Sequence, residues 1–180
     1  MIPLVAITAA LDANLIVLRQ GIALLGSLGG ERYATRVPSC FNSAIGGHMR
    51  HVIEHYQGFA HGLDSGEIDY ENRARDPLVE QDVAYATGIL EGLVARLADE
   101  RGRLVDGTLR MHMETSPGTV SVTSVLRELE FLLSHTIHHY ALIAVMGRLL
   151  GVEPGLDFGM APSTLKYQQG QAGNAVACAR

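Results

Sequence analysis

A chain of 180 residues that is 47% hydrophobic and 18% charged has the size and composition of one globular domain with its own core. Fourteen Lys and Arg against nineteen Asp and Glu leave a net charge of −5, which removes the electrostatic footprint of a general nucleic-acid binder. Its two cysteines, Cys40 and Cys178, exclude a disulfide-framed scaffold and C-x-x-C redox chemistry, and a reducing cytoplasm is the simpler expectation.

The apolar stretch from Met1 to Leu28 is interrupted by Asp12, Asn14, Arg19 and Gln20, and it lacks a basic leader and a small-residue cleavage site. It predicts a core helix over Leu4 to Leu28 rather than a membrane span or a signal peptide. Helical periodicity returns over Ala44 to Leu63, where Ser43 is a candidate cap and Gly66 a stop. The connection from Asp64 to Asp76 reaches at most about 43–47 Å when extended, enough to cross a bundle whose helices are about 30 Å long. Its charged part, Asp69 to Asp76, reads as a solvated loop. Asp76-Pro77 opens a third helix that runs to Arg101, ahead of Gly102. From Thr108 to Thr123, β-branched residues flank Ser116-Pro117-Gly118-Thr119, the chemistry of a small hairpin. Thr123 or Ser124 then opens a fourth helix, Val125 to Leu150, before Gly151. These elements predict an all-α fold, a four-helix bundle with a β-hairpin inserted between the third and fourth helices. It forms a single domain over residues 1–180 whose tail, 151–180, is partly irregular. An up-down-down-up order is allowed by the long crossover. Phe158 to Thr164 reads as a terminus docked on the bundle.

Six of the eight histidines fall in two clusters, His48, His51 and His55 in the second helix and His135, His138 and His139 in the fourth. At about 100° per residue, His48, His51 and His55 share one arc with Ile45, Val52 and Phe59. His135 and His139 share a face with Phe131, Leu142 and Met146, with His138 at its edge. Neutral imidazole is the commonest protein ligand for transition metals, and an i, i+4 pair brings two ring nitrogens to one ion. Five inward imidazoles without an ion would leave costly unpaired polar groups. Three protein ligands leave a position open to water or substrate, whereas four make a closed structural site. Glu128 lies close to the His135 direction, suited to orienting an imidazole or to pairing with an arginine.

His51-Val52-Ile53-Glu54-His55 also matches the H-x-x-E-H string of inverted zinc proteases, in which His51 and His55 bind zinc and Glu54 is the base. No G-x-S-x-G elbow, phosphate loop, G-x-G-x-x-G or paired-carboxylate motif is present. Tyr140 is turned about 100° from His139 on a regular helix, and no catalytic residue is assigned.

The segments Ile45-Gly46-Gly47-His48-Met49-Arg50-His51-Val52 and Ser134-His135-Thr136-Ile137-His138-His139-Tyr140 resemble the DinB-like superfamily of damage-inducible and thiol-transferase proteins. The resemblance spans nearly the whole chain. It implies an up-down-down-up four-helix bundle and a divalent ion, with nickel, zinc, iron or manganese all compatible. It places that ion on one histidine of the second helix, His51, and on an H-x-x-x-H pair, His135 and His139. His48 and His55 are then candidates to replace His51, to add a fourth ligand or to orient one, and His138 and Glu128 are candidates for a further ligand or for orienting one. Relatives include thiol-dependent transferases and isomerases and the iron-binding domain of sulfoxide synthases. The resemblance therefore implies a metal-dependent transferase or hydrolase acting on a small molecule, with a low-molecular-weight thiol as a candidate cosubstrate. It also implies a homodimer, while the net charge and the interrupted first helix lead to an expectation of neither nucleic acid nor membrane as partner. The alternative is a non-catalytic metal-binding or dimeric interaction module.

Overall fold

The computed structural model describes residues 4–168 and residue 170; Cys178 and the end of the expected irregular tail, from residue 171 on, lie outside them. In chain order the elements are α1 (Leu4–Ser27), α2 (Gly30–Ala34), β1 (Arg36–Val37), β2 (Ser43–Ala44), α3 (Ile45–Ser65), β3 (Glu67–Ile68), α4 (Pro77–Gln81), α5 (Val83–Asp99), β4 (Thr108–His112), β5 (Val120–Ser124) and α6 (Val125–Leu149). A short helix over residues 162–168 follows.

Of the four long helices, α1, α3 and α6 lie within two residues of their expected spans, whereas α5 starts six residues later than expected. Among them, α1 packs on α5 and α6, and α3 packs on the same two. The core between them contains Leu11, Leu18, Met49, Ile53, Phe59, Leu90, Leu129 and Ile143, all nearly fully buried. Buried Asn14 ties three helices together by donating to the carbonyls of Ala10 (2.8 Å) and Leu129 (2.9 Å) and accepting from Tyr56 Oη (2.6 Å). Although α1 is long and apolar enough to cross a membrane, with a mean hydropathy of 1.4, it lays Ile7, Leu11, Leu15 and Leu18 into this core.

The expected four-helix bundle with one hairpin is nevertheless not what forms. The structure is 63% helical, with seven helices and two small sheets of five strands in all among the described residues. Three local causes account for the difference. First, the expected helix from Pro77 to Arg101 breaks at Asp82, whose backbone is extended (φ −111°, ψ 106°) and whose carboxylate caps the amides of Ala84 and Tyr85. An aspartate that caps a new helix competes with continuing the old one. Second, the hairpin of β4 and β5, registered from Thr108 opposite Ser124 to His112 opposite Val120, gains a third strand. The segment after α3 adds β3 parallel to β4, with Glu67 opposite Arg110 and Ile68 opposite Met111. Third, residues between Gly29 and Ala44 build α2 and a two-stranded ribbon in which Arg36 pairs with Ala44. Phe41 and Asn42, both at positive φ, close that ribbon.

Caps and turns follow the local chemistry. Asp76 accepts from the Leu78 amide with Pro77 at the helix start, and Gly66 ends α3 in the left-handed region. Gly118 takes φ 81° after Pro117, and the Thr119 amide donates to the Ser116 carbonyl (2.9 Å), the arrangement of a type II turn. Ser43 does not cap α3; its place is taken by Ala44, which has no capping side chain.

Candidate metal centre

The inward arc of α3 faces the inward arc of α6, and this brings five imidazoles together. His51, His55 and His135 present ring nitrogens that all lie within 4.8 Å of one another. His51 and His135 are closest, with their Nε2 atoms 3.1 Å apart. Two nitrogens about 2.0–2.1 Å from one tetrahedral zinc ion lie roughly 3.3 Å apart, so this spacing suits one edge of a coordination polyhedron. The rings of His51 and His135 each stand 4.6 Å from that of His139. His139 turns its Nδ1 toward Nδ1 of His48 (3.0 Å), and Nε2 of His48 meets Ser43 Oγ at 2.9 Å. His138 is exposed and meets only the edge of His139.

Each ring is held by a different device. His55 Nδ1 donates to the carbonyl of His51 (2.8 Å), which fixes the tautomer and leaves the Nε2 lone pair free. Its flat face stacks on Tyr70 (5.1 Å, 18°), and His135 stacks on Phe131 (5.4 Å, 22°). Tyr70 is tethered in turn to fully buried Glu128, donating to Oε2 at 2.8 Å, while Thr123 donates to Oε1 at 2.6 Å. Glu128 therefore turns to Tyr70, Thr123 and Arg127 (3.3 Å), and steadies the histidines through the tyrosine.

His51 has a charged neighbour. Arg73, from the loop after β3, donates to its Nδ1 at 2.5 Å. A guanidinium only donates, so the ring proton of His51 lies on Nε2 and points to His135 Nε2. His135 Nδ1 is then a buried donor with no partner. Coordination through Nε2 of His51 requires that proton to leave or move to Nδ1, and Arg73 to turn aside. Glu54, the base expected from H-x-x-E-H, gives its Oε2 to Arg50 (2.9 Å) and faces Arg73 at 3.9 Å. Arg50 also pairs with Glu80 at 2.6 Å.

The environment keeps the rings neutral. Burial first, and the neighbouring imidazoles second, push His51 down to about 2, His135 to about 3 and His139 to about 4. Burial also lowers His48 and His55. Neutral imidazole is the form that donates a lone pair to a metal.

The cluster is walled on one side and open on the other. Tyr70 and Phe131, 5.4 Å apart, cover His55 and His135. His48, His51 and His139 line a cleft of about 390 Å³ with Ser43, Arg50 and Glu80.

Comparison with family models, curated proteins and solved structures gives no match. Of the residues singled out in the sequence, the structure gathers His48, His51, His55, His135 and His139 at one place and leaves His138 at its edge. His55, rather than His139, completes the tightest group with His51 and His135. Sequence reasoning missed Arg73, Tyr70 and Ser43. Arg73 and Tyr70 lie in the charged crossover, whose mixture of Asp, Glu and Arg around an aromatic was their only signal.

Proposed function

We propose that the protein binds one divalent transition-metal ion on His51, His135 and either His55 or His139, and uses it to act on a small molecule entering by the His48 cleft. The observation that carries this reading is the set of three neutral ring nitrogens within 4.8 Å, one already oriented by a backbone carbonyl. The 3.1 Å between Nε2 of His51 and Nε2 of His135 supports it, because that spacing suits two nitrogens on one tetrahedral ion. When bound, the ion supplies Lewis-acid chemistry that favours the anionic form of a water or thiol. The protein's own groups exclude solvent on the Tyr70 and Phe131 side and orient His55 and His135. On the open side they present Ser43 and Arg50 to the incoming molecule.

The DinB-like motif resemblance adds a low-molecular-weight thiol as the cosubstrate we favour, and a homodimer as the assembly. Zinc calorimetry on metal-stripped protein tests the site. About one ion per chain should bind, and losing a ligand in His51→Ala or His135→Ala should weaken binding by about 100-fold or more. His138→Ala should bind as the wild type does. Weakening in His55→Ala but not His139→Ala assigns the third ligand to His55, and the reverse assigns it to His139. Unchanged affinity in His51→Ala and His135→Ala together overturns the proposal.

A further inference from the structure

Cys40, Ser43, His48 and His139 form one hydrogen-bonded chain at the open edge of the histidine cluster, and its first member fixes the direction of every bond in it. The two-stranded ribbon sets Ser43 opposite Val37, and the Ser43 amide donates to the Cys40 carbonyl at 3.0 Å. Ser43 Oγ lies 2.6 Å from the same carbonyl oxygen. A carbonyl only accepts, so the hydroxyl proton points to Cys40 and Oγ offers its next partner lone pairs alone. That partner is His48 Nε2 at 2.9 Å, which must carry the ring proton and donate. Burial lowers the His48 pKa, so the ring is neutral and its Nδ1 is an acceptor. Nδ1 of His139 lies 3.0 Å from that acceptor and is therefore the protonated nitrogen of its ring. Burial pushes His139 down to about 4, so this ring is neutral too and its Nε2 keeps a lone pair.

The chain separates the roles of the two histidines. Both ring nitrogens of His48 are engaged, one as donor and one as acceptor, which leaves it no lone pair for an ion. His139 has one unprotonated nitrogen, and it is Nε2. We propose that Ser43 and His48 are positioning residues of the metal centre, locking His139 in the tautomer that keeps its Nε2 free to coordinate. The inference rests on the reading of the cluster as a metal centre and adds to it a ligand set from outside the helices. The device matches the one at His55, where the carbonyl of His51 takes the Nδ1 proton directly. At His139 the carbonyl of Cys40 does the same through two side chains.

The test has two readouts on the full chain at neutral pH. In protein stripped of metal with chelator, long-range proton–nitrogen NMR spectra of the imidazoles report each tautomer, and the His139 signals are assigned by their loss in His139→Gln. The wild type should show His139 protonated on Nδ1 and His48 on Nε2. Ser43→Ala frees the His48 proton to move to Nδ1, so His139 should shift toward a mixture with its Nε2–H form. With zinc, calorimetry should find affinity lowered about tenfold or more in Ser43→Ala, the usual cost of losing a group that orients a ligating imidazole. Ser43→Thr keeps the hydroxyl and suits a strand position, and it should restore both the tautomer and the affinity. A wild-type His139 protonated on Nε2, a tautomer or affinity unchanged in Ser43→Ala, or an equal loss in Ser43→Thr overturns the proposal. A wild type that binds no zinc removes the metal reading and the positioning role with it, and the metal-free spectra distinguish that failure from a misread chain of hydrogen bonds.

Discussion

At the scale of single residues, the centre joins rings whose positions follow from helical spacing to a cation that does not. His51, His55, His135 and His139 were legible because an apolar arc with a period of 3.6 residues points inward whatever else the fold does. Arg73 was not, because a loop side chain has no period to read. Its consequence is specific: the guanidinium donates to His51 Nδ1 and opposes both the ring proton and the positive charge that an ion would bring. Arg73→Met is therefore expected to bind zinc several-fold more tightly than the wild type, measured by competition with a chromophoric chelator. Weaker binding would mean that Arg73 supports the metal-loaded form. Glu128 pairs with an arginine, Arg127, as one of its two expected readings has it, but it also accepts from Tyr70, which arrives from a segment 58 residues away. No local pattern announces such a pairing.

At the scale of elements, long helices were readable and their interruptions were not. The periodicity that marks Pro77 to Arg101 as helical persists across Asp82, because a cap changes one residue's backbone without changing which residues face the core. Strand β3 is two residues long and has no alternation to detect; it exists because Gly66 turns the chain back beside β4. Close approach between α3 and α4 supplies a prediction at this scale. A Cβ on Gly46 would stand 2.0 Å from the Glu80 carbonyl oxygen, whereas one on Gly47 meets nothing within 4 Å. Gly46→Ala should therefore destabilise by about 1–3 kcal/mol, the usual cost of overpacking. Gly47→Ala should be neutral or stabilising by up to about 1 kcal/mol, as alanine is the better helix former. Chemical denaturation of the two variants side by side measures both. Equal destabilisation would contradict the packing of α4 on the start of α3.

At the scale of the whole molecule, the cost of gathering five imidazoles is a dependence of stability on pH. In the unfolded chain a histidine titrates near 6.5, while in the fold His51, His135 and His139 are held near 2, 3 and 4. Between those values the unfolded state binds more protons, so stability rises with pH there. The contribution is complete above about 6.5 and is lost progressively as the pH falls toward 4. Melting temperatures of metal-stripped protein should thus drop between about pH 7.5 and 5.5, and the drop should shrink in His135→Ala. A flat profile would place the rings in contact with water. The same gathering makes the centre: two long helices bring their histidine arcs together, while the small sheet and the crossover supply the wall and the arginine.

The most direct test of that account is the metal content of protein purified without an affinity tag or added metal, compared with His51→Ala and His135→Ala. The account predicts about one transition-metal ion per chain in the wild type and less than about a tenth of that in both variants. A wild type that carries no ion, and takes up neither nickel, zinc, iron nor manganese when they are supplied, would contradict it and leave the histidines as a core that serves packing alone.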